Sequence, residues 1–192
     1  MDKKAAYAVP LVVVLVLLLS SVGCAPAAAK EITIGIVGDQ SGVSAPYGLD
    51  TRQGAQTAVD EINAAGGIGG ATLVLRVYDE KGDPVEAVKI APQVADETVA
   101  TIVCSSSSPA LAIGPKLEEL GIPFIVTVSS NLKITSSGWK WASRIQPADP
   151  DQINRMVAYI SKNLKYKKIA LLHDTTDLGT GARDALVNTL KQ

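Results

Sequence analysis

The chain is poor in the residues that build reactive centres. It holds 2 cysteines and 1 histidine among 192 residues. Cys24 closes an apolar leader, which leaves Cys104 without an intrachain partner and excludes a disulfide framework. Cys104 ends an apolar run and reads as a buried, inert thiol. One histidine, His173, does not make a metal cluster, so neither a metal nor a cofactor is expected. Charge of one sign is also missing, with 18 Lys and Arg against 19 Asp and Glu. No basic run extends beyond Lys165–Lys168, which argues against nucleic acid as a partner. Catalytic motifs are absent as well: there is no G-x-S-x-G elbow, P-loop or His-x-x-His, and "GIVGDQSG" lacks the G-x-G-x-x-G spacing. His173 has no paired nucleophile and reads as a structural or rim residue rather than a general base. An enzyme is not expected.

Long hydrophobic runs are scarce too. The apolar run Leu11–Leu19 falls short of the roughly 20 residues that span a bilayer. Lys3 and Lys4 precede it and small residues follow, the order of an export signal. "SSVGCAP" resembles a bacterial lipobox with Cys24 as the lipidated first residue. Val22 and Gly23 suit it, while Ser21 stands where leucine is usual. Ordinary cleavage after Ala27–Ala29 also satisfies the small-x-small rule. The lipoprotein reading is favoured, because a cysteine closing an apolar segment has little other structural reason to be there. Residues 1–23 are then a signal peptide and 24–31 a tether. The product is exported to the periplasm or cell surface and held at the membrane by its lipid.

What is present is a regular alternation. "EITIGIVG" reads as a buried strand. "GLDTRQGAQTAVDEINAAGG" reads as a helix, with Ala55, Ala58, Val59, Ile62 and Ala65 at helical spacing and Gly66–Gly67 closing it. "ATLVLRVYDE" is a second strand. Asp83 and Pro84 then open "PVEAVKIAPQVADE", whose Val88, Ala91, Val94 and Ala95 share a face and whose Pro92 predicts a kink. "ATIVC", "SPALAIGPKLEELG" and "IPFIVTV" continue as strand, helix, strand. In "DPDQINRMVAYISKNL" Asp149 is the expected cap, Pro150 the first-turn proline, and Ile153, Met156, Val157, Ile160 and Leu164 the buried stripe. "KKIALLHD" is expected to be a strand and "GARDALVNTLKQ" a helix. Continuous apolar strands alternating with helices predict an α/β fold: a Rossmann-like parallel sheet with helices on both faces.

Ligands of such sheets sit at the carboxyl ends of strands. The serine run Ser105–Ser108 lies at that end of the third strand and opens a helix, where free N–H groups and the helix dipole attract an anion. "VTVSSN" (Val126–Asn131) repeats the arrangement after the fourth strand, and "GDQSGVSAPYG" (Gly38–Gly48) does so after the first. The bland alternative is plain helix capping.

The blocks "SGVSAPYGLDTRQGAQTAVDEINAAGGIGG", "YDEKGDPVEAV", "SSSSPALAIGPKLEELGIPFI" and "KIALLHDTTDLGTGARDAL" resemble the type I, branched-chain amino acid class of periplasmic solute-binding proteins of ABC transporters. The resemblance runs from Ile32 to the end. It implies two Rossmann-like lobes closing on a ligand, with residues 32–145 as the N-terminal lobe, 146–192 as the start of the second, and a hinge near "GWKWASRIQPAD". It implies that Ser107, with Ser108 beside it, holds a ligand carboxylate. By the same resemblance the Val128 carbonyl accepts from the ligand ammonium, Ser130, next to Ser129, contacts both charged groups, and Tyr47 lines the cleft. Leu178 stands where amino-acid binders often carry a tyrosine, which leaves an amide, another amino acid or a small carboxylate open as ligand. Family members are about twice as long, so a truncated product or a fragment is expected, without the acidic residue that the second lobe supplies. The implied role is capture of a small amino acid-like molecule for delivery to an ABC permease and its ATPase. The alternative is a ligand-sensing domain of a receptor or regulator with the same fold.

Overall fold

The computed structural model describes residues 30–191. The segments expected as signal peptide and tether, Cys24 included, lie outside the described residues except for Lys30 and Glu31. A short apolar strand opens the fold: β1 (Glu31–Gly38) buries Ile36 and Val37 completely. It is followed by α1 (Ala45–Ala64), β2 (Thr72–Asp79), α2 (Pro84–Glu97), β3 (Ala100–Cys104), α3 (Ser107–Glu119) and β4 (Phe124–Val126). Next come a one-turn helix α4 (Lys133–Ser136), β5 (Ala142–Arg144), α5 (Asp149–Tyr159) running into a π-turn (Ile160–Leu164), and α6 (Asp177–Leu190).

All strand pairs are parallel, in the order β2-β1-β3-β4-β5. Parallel neighbours need a crossover between them, and the helices supply it. Register places Val37 beside Tyr78 and Val103, and Val103 beside Val126, so one sheet face presents a continuous apolar row. That row meets Ala87, Ala91 and Val94 of α2 and Ala110, Ile113 and Leu117 of α3, all completely buried. On the opposite face α1 covers β1 and β2, while Ile102 and Ile125 stay half-buried.

Local chemistry sets the boundaries. Asp83 caps α2 by accepting from the Val85 amide at 2.7 Å. Gly66 and Gly67, at φ 101° and 74°, reverse the chain after α1. Asn63 then ties that helix end to β2 through both backbone groups of Leu73. Gly114 lets Trp139 lie directly on α3, where any side chain would collide with the indole.

Several expectations are corrected. α1 begins at Ala45 rather than Gly48, and within its expected stripe Val59 is buried while Ala58 and Ile62 are exposed. In α2 the buried face runs through Ala87 instead of Val88, which is 41% exposed, and the helix continues unbroken through Pro92. Ala148, not Asp149, is the N-cap of α5, and Asp149 is buried in the first turn. "KKIALLHD" forms no strand: residues 165–174 lack a ladder partner and are exposed. The stripe of α5 is correspondingly open, with Met156 and Leu164 each 42% exposed. The segment expected as a hinge supplies β5 before the chain leaves the sheet at Ile145.

Candidate ligand-binding site

Three turns meet at the carboxyl ends of β1, β3 and β4, and side-chain bonds to the backbone clamp the first and the third. The first is built around Asp39, whose buried carboxylate accepts from the amides of Ser41, Gly42 and Ser44. Gly48 passes so close to the Asp39 carbonyl that no side chain fits there. Asp79 supports the same turn, accepting from the Gln40 amide at 2.9 Å and the Ser41 hydroxyl at 2.6 Å. Burial alone would raise the Asp79 carboxyl. The Ser41 hydroxyl and the Gln40 and Lys81 amides outweigh that and hold it below the ordinary value.

The second turn is the serine run. Ser105 and Ser107 are buried, and Ser106 adopts the extended cap conformation of α3 without a side-chain cap bond. The first turn of α3 therefore lacks the usual hydroxyl cap. The third turn, Val128–Asn131, is clamped from below by Arg144, which donates to the carbonyls of Ser130 (3.1 Å) and Asn131 (2.7 Å). Burial lowers the Arg144 pKa, and Asp149 and Asp151 oppose this in part. The Asp149 amide donates to the Ser130 carbonyl at 2.8 Å, which joins the start of α5 to the same turn.

Between these turns lies a cavity of about 250 Å³. Of the residues expected at the site, Tyr47, Ser107, Val128, Ser129, Ser130 and Leu178 line it. The hydroxyls of Ser129 and Ser107 are hydrogen-bonded to each other at 2.9 Å, which fixes the two turns together. Ser108 is drawn away: its hydroxyl accepts from the Asp177 amide at 3.2 Å and anchors α6. Sequence reasoning missed Ser44, Ser106 and Gln146, which complete the lining. The two serines were legible as members of hydroxyl-rich turns. Gln146 carried no signal, because it reaches the cavity only through the turn after β5. His173 lies outside the cavity, exposed, with Nδ1 against the Asp174 carbonyl.

The lining has hydroxyls, an amide and a helix N-terminus but no charged side chain. That set can hydrogen-bond a carboxylate without placing a fixed counter-charge beside it. A larger, more open groove of about 660 Å³ runs along α5 past Asp151, Gln152 and Arg155, but no turn converges on it.

The family model described as "Periplasmic binding protein" matches residues 31–192. The chain belongs to the periplasmic binding protein family. A Leu/Ile/Val-binding protein homolog of Brucella melitensis is 33% identical over 167 residues, covering 86% of this chain and 45% of that relative. The Leu/Ile/Val-binding protein of Escherichia coli K12 is 35% identical over 170 residues, covering 86% and 46% respectively. Among solved structures, the branched-chain amino acid transporter substrate binding protein LivJ from Streptococcus pneumoniae, in complex with isoleucine, superposes with a TM-score of 0.77. It shares 29% identity and covers 83% of this chain and 47% of its own. The chain spans about half the length of the curated relatives it matches. The fold, a parallel five-stranded sheet with helices on both faces, is shared with these solute-binding structures.

Proposed function

We propose that this chain belongs to the substrate-binding component of an ABC transporter, capturing a small amino acid or a related carboxylate or amide outside the cytoplasm. The observation that carries the reading is the convergence of three hydroxyl-rich turns on one uncharged cavity at the carboxyl edge of the sheet. The Ser107 hydroxyl and the α3 N-terminus hold the carboxylate, the Val128 carbonyl accepts from the ammonium, and Ser130 bridges the two. Tyr47 and Leu178 flank the side chain of the ligand. The sequence relatives are named for binding leucine, isoleucine and valine, which supports this ligand class.

In this reading residues 32–145 form the first lobe and 146–192 begin the second. Closure of the complete pair of lobes buries the ligand before delivery to the permease and its ATPase. Residues 1–23 direct export, and acyl chains on Cys24 tether the product beside the permease. Calorimetric titration with a panel of L-amino acids tests the binding step. Ser107→Ala and Ser130→Ala should each weaken binding about tenfold, the loss of one hydrogen bond to a charged group. Unchanged affinity in both variants would reduce the serines to helix caps.

A further inference from the structure

A carboxyl group is buried directly beneath these turns. Glu80, the residue after β2, is 0% exposed, and neither of its side-chain oxygens has a hydrogen-bond partner. Its backbone is fixed: its amide donates to the Gly38 carbonyl at 3.2 Å and its carbonyl accepts from the Asp83 amide at 2.8 Å. The Ser105 hydroxyl, at the head of the serine run, is also 0% exposed and unpartnered. Buried polar atoms without partners are uncommon, and here two such residues are neighbours.

The charges that face Glu80 are acidic. Asp39 approaches from the end of β1 and Asp79 from β2, while β3 contributes the Cys104 thiol and the Ser105 hydroxyl. Lys81, next in the chain, acts on Asp79. The Asp39 carboxylate already has its own task, holding the amides of the first turn. An ionised Glu80 would stand buried beside two carboxylates with no cation to match it, the least favourable state for a carboxyl group. A neutral acid resolves the arrangement, since its O–H can donate to the Ser105 hydroxyl and its second oxygen can accept. Burial acts in the same direction, raising the Glu80 carboxyl above its ordinary value. Asp39 and Asp79 add to this, and the Ser105 hydroxyl and Gly82 amide, which lie nearby without a formed hydrogen bond to the carboxyl, only partly offset it.

We propose that Glu80 is kept as a neutral carboxylic acid that locks Ser105, and that loss of its proton to water at rising pH loosens the serine turn and the Asp39 turn together. The locking concerns the fold. Its consequence, a pH-dependent affinity, rests on the reading of these turns as the ligand site.

The test needs no ligand, so failure of the binding reading leaves it intact. Unfolding midpoints of the full chain are measured from about pH 4 to pH 8, around and above the ordinary glutamate value. A group whose folded pKa is raised contributes stability below its unfolded value, and that stability is lost as pH rises through the folded value. The wild type should therefore lose stability across this window. Glu80→Gln should abolish the decline and match or exceed the wild type at neutral pH. A variant weaker than wild type at neutral pH, with the decline unchanged, would overturn the proposal. Should Glu80→Gln not fold, carbon NMR titration of the Glu80 carboxyl in the wild type decides. A midpoint above the ordinary glutamate value supports the lock, and an ordinary or lower midpoint refutes it.

Discussion

Helices α3 and α5 carry the same kind of apolar stripe, yet they meet different fates. In α3, Ala110, Ile113 and Leu117 are completely buried between the sheet and α2. In α5, which packs mainly on α6, Met156 is 42% exposed and Ile153 and Val157 are only half-buried. The chain beyond α5 continues this trend, with Leu172 97% exposed in a stretch without strand structure. An amphipathic pattern therefore specifies a helix, but only a partner surface turns its stripe into a core. The five-stranded sheet provides that surface for residues 31–144. The described residues after it provide no comparable sheet.

The largest expected effect follows from this contrast. Ile113→Ala should cost about 3 kcal/mol in denaturant unfolding, the range for a buried aliphatic truncation that leaves a cavity. Equal losses for Ile113→Ala and Met156→Ala would break the distinction between the two regions. Next in size, Asp39→Ala should cost about 2 kcal/mol, because the Ser41, Gly42 and Ser44 amides lose a charged acceptor. It should also raise amide exchange in that turn.

A smaller, pH-dependent effect comes from Asp79. Its folded pKa is lowered, so its contribution is present above the unfolded value and disappears as pH falls through the folded one. Asp79→Asn should flatten the acid limb of the stability profile, opposite in sign to the Glu80 effect. The smallest change is expected for Met156→Ala, under about 1 kcal/mol, since 42% of that residue stays exposed and its truncation opens no enclosed cavity. Hydrogen exchange sharpens the same contrast: residues 165–174 should exchange almost unprotected, and β1 and β3 should show the slowest amides.

Much of the first region was legible because its signals are local. Continuous apolar strands, Asp83–Pro84 and the paired glycines after α1 mark their elements directly, and observed boundaries fall within a few residues. The meeting of the hydroxyl-rich turns was legible because strand ends and serine runs coincide, whereas the choice of Ser107 and Ser130 within them came from the family resemblance. The bond that draws the Ser108 hydroxyl toward α6 was not legible, because its partner, the Asp177 amide, is 69 residues away in sequence. Gln146 and the Arg144 clamp escaped for the same reason, since both act through β5, a strand of three residues with no apolar run. "KKIALLHD" has strand composition, but composition supplies no neighbour to pair with. The Glu80 environment was also invisible, as nothing in "YDEKGDP" tells which acid turns inward.

The most direct measurement is a residue-resolved NMR titration of the chain with L-leucine and other L-amino acids at millimolar concentrations. The account predicts that the largest amide shifts fall on Ser106, Ser107, Val128, Ser129 and Ser130 and saturate with a common binding constant. Shifts confined to the groove along α5, or no saturable shifts at the serine turns for any amino acid tested, would contradict it.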